Sequence, residues 1–192
     1  MKNNLKKIIL FASGNGTNVE NIIKYFQNST KVDVILVAGN NKNANVFDRV
    51  KSYGIKTLIF DRTYFINGFL EILTKYKPDL IVLAGFLWKI PSQWIIKFSD
   101  KILNIHPSLL PKYGGKGMYG MNIHKAVKKN KEQETGITIH LVNEDYDKGR
   151  IIFQKKIQIP SNFDPEDIAD KVHELEKKFF PKVIEKYLFE QI

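Results

Sequence analysis

The sequence predicts an α/β fold: a Rossmann-like, doubly wound, mostly parallel sheet with helices on both faces. Three observations predict it. Short, almost wholly apolar runs recur at 8–12, 34–38, 57–60, 80–84 and 102–105, the pattern of strands buried on both faces. Segments with apolar residues at helical spacing lie between them. Glycine and proline punctuate the joins at Gly54, Pro78, Pro91 and Pro107. Strands alternating with right-handed helical crossovers build a parallel sheet covered on both sides.

In order, 8–12 reads as the first strand, and Ser13-Gly14-Asn15-Gly16 as the turn after it. Val19, Ile22, Ile23 and Phe26 then place a helix over 18–26. The second strand is 34–38, the second helix 45–53 with Gly54 closing it, and the third strand 57–60. A helix over 65–76 cannot pass Pro78. The fourth strand is 80–84, Pro91 opens a helix to about residue 98, and the fifth strand, 102–105, stops at Pro107. The second half changes character. Residues 107–122 are rich in Gly and Pro and read as a long ordered loop, followed by a helix over 123–129. Strands at 135–143 and 151–159 flank a turn at Gly149. Asp164-Pro165-Glu166-Asp167 is a helix start: an N-cap acid, proline at the first helical position, then acids beside the positive end of the dipole. Ile168, Val172, Leu175, Phe179 and Val183 form one apolar stripe after it. No repeat or low-complexity linker marks a domain boundary, so residues 1–192 read as a single domain.

Composition narrows the function classes. Hydrophobic content of 43% and charged content of 26% suit a soluble globular protein. With no cysteine there is no disulfide framework and no thiolate nucleophile. That suits a reducing, cytoplasmic location. The residues from Met1 to Ala12 lack the long apolar region and cleavage site of a signal peptide. No run of about 18 apolar residues is present to span a membrane. The formal net charge of +10 would suit a nucleic-acid partner. The charge is nearly all scattered lysine, however, with arginine only at Arg49, Arg62 and Arg150, and aromatic–basic interleaving is missing. The reading is a basic surface, with no nucleic acid and no membrane as partner.

Ligands of open α/β sheets sit beyond the carboxyl ends of the strands, which points to residues 13–18, 85–90 and 104 onward, and three strings carry the candidate chemistry. Ser13-Gly14-Asn15-Gly16-Thr17-Asn18 joins a strand to a helix N-terminus, where free N–H groups suit an anion. Its glycine spacing is neither the dinucleotide fingerprint nor a Walker loop, so a plain turn competes with phosphate binding. At Asn104-Ile105-His106-Pro107, residues two apart on a strand share a face, so Asn104 and His106 project together while Ile105 enters the core. An amide beside an imidazole suits oxyanion stabilisation and proton transfer. The acidic turn Glu144-Asp145-Tyr146-Asp147-Lys148-Gly149 offers a carboxylate that would hold His106 protonated and oriented. Asp147 is preferred, with Asp145 and Glu144 as alternatives. The histidines 106, 124, 140 and 173 have no metal-ligand spacing, so no metal is expected.

Together these strings resemble the phosphoribosylglycinamide formyltransferases, folate-dependent enzymes of purine biosynthesis, over nearly the whole chain. The resemblance rests on Gly14-Asn15-Gly16-Thr17-Asn18, Leu83-Ala84-Gly85-Phe86, the string from Asn104 to Tyr113, the stretch from Gly136 to His140, and Asp147-x-Gly149. It implies the formyltransferase fold, with a nucleotide-binding half at about 1–103 and a catalytic, folate-binding half at about 104–192. It implies formyl transfer from the co-substrate 10-formyltetrahydrofolate to glycinamide ribonucleotide. By position it assigns Asn104, His106 and Asp147 to catalysis, and Gly16, Thr17, Asn18, His173 and Glu176 to the ribonucleotide. The folate pocket would take Arg62, Leu87, Trp88, Lys89, Ile90 and Asn104, with Asn143, Glu144, Asp145, Tyr146 and Asp147. The sequence departs from the family where it has Trp88 in place of a frequent arginine, His173 in place of a glutamine, and an unusual 114–120 stretch. Transfer-RNA formyltransferases and deformylases, the nearest rivals, usually carry a further domain for which 192 residues leave no room. A homodimer is compatible with the resemblance.

Overall fold

The computed structural model describes residues 5–190; residues 1–4 of the amino-terminal stretch read above, and residues 191–192, lie outside the described part. Seven strands form one sheet in the order β3-β2-β1-β4-β5-β6-β7. They are β1 (Lys6–Ala12), β2 (Val32–Gly39), β3 (Thr57–Ile59), β4 (Leu80–Leu83), β5 (Ile102–His106), β6 (Glu134–Leu141) and β7 (Ile151–Gln158). The first five pair in parallel, while β6 and β7 are antiparallel additions at one edge. The order reverses between β1 and β4, each following strand being added outward from that point, so a crevice opens at their carboxyl ends.

Seven helices cover the sheet: α1 (Thr17–Phe26), α2 (Val46–Val50), α3 (Arg62–Asn67), α4 (Phe69–Tyr76), α5 (Ser92–Lys97), α6 (Met121–Lys129) and α7 (Pro165–Phe189). Alternation along β1 feeds two cores. Ile8 and Leu10 join the cluster under α1, α2, α6 and α7, while Ile9 and Phe11 join an aromatic cluster under α3, α4 and α5. In that second core Phe11 meets Phe69 and Phe86 edge to face, both at 5.4 Å between ring centroids.

The expected 65–76 helix is two helices. Asp61 caps the first by accepting from the Tyr64 N–H at 2.8 Å. The run breaks at Gly68, whose backbone (φ −125°, ψ −26°) leaves the helical region, and a Cβ there would meet the Tyr64 ring at 2.6 Å. The expected 45–53 helix ends as a single 3-10 turn, Lys51–Tyr53, before Gly54 at φ 66°. At α7 the expected start is a reciprocal box: Asp164 accepts from the Asp167 N–H and Asp167 from the Asp164 N–H. Pro181 sits inside α7, and the apolar stripe includes Phe180, fully buried, with Phe179 only partly so. No described helix is long and apolar enough to cross a membrane.

Candidate active site

An open cleft of about 650 Å³ lies along the carboxyl ends of β1, β4 and β5. Ser13 to Asn18 form one end of it, Ala84 to Leu87 and Asn104 to Pro107 its floor, and Gly115 to Gly120 a wall. His124, Tyr146, Asp147, His173 and Glu176 complete it.

At the first end the chain leaves β1 and enters α1 through Gly16, φ 77°. No side chain caps α1, so its first amides are left for water or a ligand. A Cβ on Gly16 would lie 2.5 Å from the Val46 side chain, whereas one on Gly14 would meet nothing within 4 Å. Glycine at 16 is therefore demanded by packing against α2, and the room for a ligand is at Gly14. Glu176 reaches the same end from α7. It is only 6% exposed, and Asn18 Nδ2 donates to its Oε2 at 2.8 Å. Burial raises the Glu176 pKa against the opposing Asn18 hydrogen bond and His173 charge. His173, three residues earlier on the helix, is exposed and also lines the cleft.

At the other end β5 delivers Asn104 and His106 to one face, as their spacing predicts, and Ile105 to the opposite core. The antiparallel pairing of β5 with β6 sets His140 directly opposite Asn104. His140 Nδ1 lies 2.8 Å from its acceptor, the Leu141 carbonyl, so it carries the proton. Nε2 is then free to accept from Asn104 Nδ2 at 3.0 Å. His106 Nε2 likewise donates to the Tyr113 carbonyl at 2.7 Å, which turns Nδ1 toward Asp147 Oδ1 at 3.5 Å. Asp147 Oδ1 is also 3.5 Å from His140 Nε2 and from Asn104 Nδ2, and Oδ2 accepts from the Gly115 N–H at 2.9 Å.

The carboxylate is held there by local strain and by a tight turn. Asp147 has φ 57°, in the left-handed region that aspartate enters more readily than most residues. Two residues on, a Cβ at Gly149 would fall 1.7 Å from the Leu141 carbonyl oxygen. Burial raises the Asp147 pKa, but the His140 and His106 rings, protonated at the acid pH where a carboxylate titrates, and the Gly115 amide together outweigh it and hold the pKa below the usual carboxylate value. For His106, burial wins over the upward pull of Asp147 and the Tyr113 carbonyl, so its pKa lies below the ordinary histidine value. The expectation that a carboxylate beside His106 holds it protonated is thus corrected: Asp147 acts in that direction and burial exceeds it.

The alternatives Glu144 and Asp145 lie outside the cleft lining, and Asp145 pairs with Lys148 at 3.5 Å on the surface. Of the folate candidates, Leu87, Asn104, Tyr146 and Asp147 line the cleft, while Arg62, Trp88, Lys89 and Asn143 do not. Ile90 packs in the aromatic core and is not part of the cleft lining. The Arg62 guanidinium stacks over Trp88 at 4.8 Å, beyond the end of the cleft lining. The sequence reasoning gave no role to His140 or His124. His140 had a retrievable signal, its place in the string from Gly136 to His140. Among the described residues no group of three or more His, Cys, Asp or Glu is arranged to hold a metal ion.

The sequence model of the formyl transferase family matches residues 6–184. The chloroplast phosphoribosylglycinamide formyltransferase of Arabidopsis thaliana is 37% identical over 187 residues, 93% of this chain and 64% of that protein. The chain thus spans somewhat less than two thirds of the plant relatives it matches. The phosphoribosylglycinamide formyltransferase of Bacillus subtilis is 34% identical over 191 residues, 96% of this chain and 95% of that protein. The crystal structure of the enzyme of that name from Anaplasma phagocytophilum superposes with a TM-score of 0.87 at 30% identity, covering 96% of this chain and 88% of that one.

Proposed function

The chain belongs to the formyl transferase family, and we propose that it transfers the formyl group of 10-formyltetrahydrofolate to the amine of glycinamide ribonucleotide, in the cytoplasm. One observation carries the reading. Asn104, His106 and Asp147, backed by His140 behind them, line one cleft whose far end is an uncapped helix N-terminus beside Glu176. An amine acceptor tethered by a phosphate, and a donor carbonyl, are what such a cleft suits.

The folate supplies a formyl carbon already activated on nitrogen. Holding the two substrates together does much of the catalysis. Gly16, Thr17 and Asn18 bind the phosphate through main-chain N–H groups, with His173 and Glu176 nearer the sugar. The donor lies against Leu87 and Tyr146. The acceptor amine attacks the formyl carbon, and negative charge develops on its oxygen. His106 Nε2–H, lent to the Tyr113 carbonyl in the free protein, exchanges that bond for the oxyanion. The second hydrogen of Asn104 Nδ2, only loosely held toward Asp147 at 3.5 Å, joins it. The proton lost by the attacking amine passes through water to the His106–Asp147 pair, where the carboxylate stabilises the imidazolium, and it is returned to the folate nitrogen as the oxyanion collapses and the bond from the formyl carbon to that nitrogen breaks. In this reading residues up to about 103 form the nucleotide-binding half, and those from about 104 the catalytic and folate-binding half. Donor consumption followed by folate absorbance, with glycinamide ribonucleotide present and absent, tests it. Release that depends on the ribonucleotide is expected, and equal release without it would point to a deformylase.

A further inference from the structure

Three histidines are buried among the described residues: His106, His124 and His140. Two of them give a ring nitrogen to a main-chain carbonyl, at 2.7 and 2.8 Å. His124, on α6, is 2% exposed and its Nδ1 is buried with no hydrogen-bond partner. A buried polar nitrogen left unpaired costs free energy, and a core position would favour an apolar side chain instead. Yet His124 is also a wall of the cleft. Its ring lies 6.5 Å from that of His173, which shares a face of α7 with Glu176.

We propose that His124 is a recognition residue for the sugar of the acceptor ribonucleotide, donating from a neutral imidazole to a ribose hydroxyl held beside Glu176. The inference rests on the activity proposed above and adds a contact to it. Burial, and secondarily the His173 charge, lower the His124 pKa to about 4. It is therefore uncharged at neutral pH and is no counter-ion for a phosphate. A hydroxyl, which both donates and accepts, matches an uncharged imidazole. A proton on Nδ1 would be shut away with no acceptor, so it is assigned to Nε2, the ring nitrogen that is not buried without a partner, and Nε2 is the donor offered to the ligand. The sugar of a ribonucleotide with its phosphate at α1 and its amine at His106 lies in the cleft that Glu176 and His124 both line.

The test compares His124→Phe, which fills the space without a donor, with His124→Gln, which restores one. Wild type should discriminate against either the 2′-deoxy or the 3′-deoxy ribonucleotide by about tenfold or more, because an analogue lacking the hydroxyl leaves the site unpaired. His124→Phe should raise the ribonucleotide KM by a similar factor, leave the folate KM and kcat within about twofold, and lose that discrimination. His124→Gln should recover part of both. A ribonucleotide KM unchanged in His124→Phe, or discrimination that survives it, would overturn the inference while leaving the activity intact. Should the Phe variant not fold, the His124 ring-nitrogen resonances of wild type decide. They should shift on adding the ribonucleotide and stay put on adding folate alone, and resonances unmoved by saturating ribonucleotide would overturn the contact. A wild type that transfers no formyl group to the ribonucleotide overturns the activity reading, and the inference with it.

Discussion

The two ends of the cleft are built from different materials. At the α1 end the surface is main chain: an uncapped helix start, a glycine turn and one buried carboxyl group from α7. At the β5 end it is side chain: two histidines, an amide and an aspartate, each touching at least one of the others. A main-chain surface is fixed by the fold and its contacts act nearly independently. A side-chain network shares its protons and charges, so each member depends on the rest. The comparison makes opposite forecasts for the two ends: collective loss of turnover at one, stepwise loss of affinity at the other.

The largest effect should come from the side-chain end. His106→Ala and Asp147→Asn should each lower kcat by about a hundredfold or more, the scale of acid–base and oxyanion contributions. The double variant should be little worse than the poorer single one. Asp147 pulls the His106 pKa upward against burial, so Asp147→Asn should move it further below the ordinary value, measurable by NMR titration. Multiplicative losses in the double variant would break the comparison, since His106 and Asp147 would then act separately.

The same division governs how much could be seen in the sequence. The parallel strands and the Asn104–His106 face follow from periodicity, which is local. The Asp147 turn is marked by Gly149, and its acid was singled out. Of its partners Asn104 and His106 were singled out too, and His140 was not, because it meets Asn104 only through the antiparallel pairing of β5 with β6, 36 positions apart in the chain. Gly68 was hidden because apolar spacing continues across it, and its effect is steric, against the Tyr64 ring. Glu176 was assigned to the ribonucleotide by resemblance alone. Its burial depends on α1 packing against α7, a contact between residues 158 apart. Arg62 and Ile90 were placed by resemblance, and neither side chain reaches the cleft lining.

A smaller effect is expected at the main-chain end from Glu176→Ala. It should weaken ribonucleotide binding by about 1–3 kcal/mol, the cost of an unpaired polar group, with kcat nearly unchanged. Glu176→Gln separates shape from charge. The folded pKa of Glu176 is raised, so its contribution to stability is fully present below the unfolded value and is lost as pH rises through the folded one. The melting temperature of Glu176→Gln relative to wild type should therefore increase as pH climbs above about 4.3, the ordinary value for glutamate. A difference independent of pH would mean that the carboxyl is not the group strained by burial.

The smallest effect should come from the glycine turn, where two neighbours sharpen the contrast within the main-chain end itself. Gly14 has open space around a Cβ, and Gly16 has Val46 at 2.5 Å together with a φ of 77°. Gly16→Ala should therefore destabilise the fold by about 1–3 kcal/mol, through a left-handed backbone and crowding against α2. Any change in ribonucleotide KM would follow from displacement of α1. Gly14→Ala should leave the melting temperature within about a degree or two, because nothing is displaced. Its methyl group projects into a surface of the cleft, so the ribonucleotide KM should rise a few-fold and the folate KM should not. The two variants thus divide one turn into a packing glycine and a ligand-facing glycine. A Gly14→Ala variant with normal affinity for both substrates would mean that the phosphate sits deeper, on the amides of Thr17 and Asn18 alone. A Gly14→Ala variant as unstable as Gly16→Ala would mean that the turn tolerates no Cβ at either position and carries no separable information about the ligand.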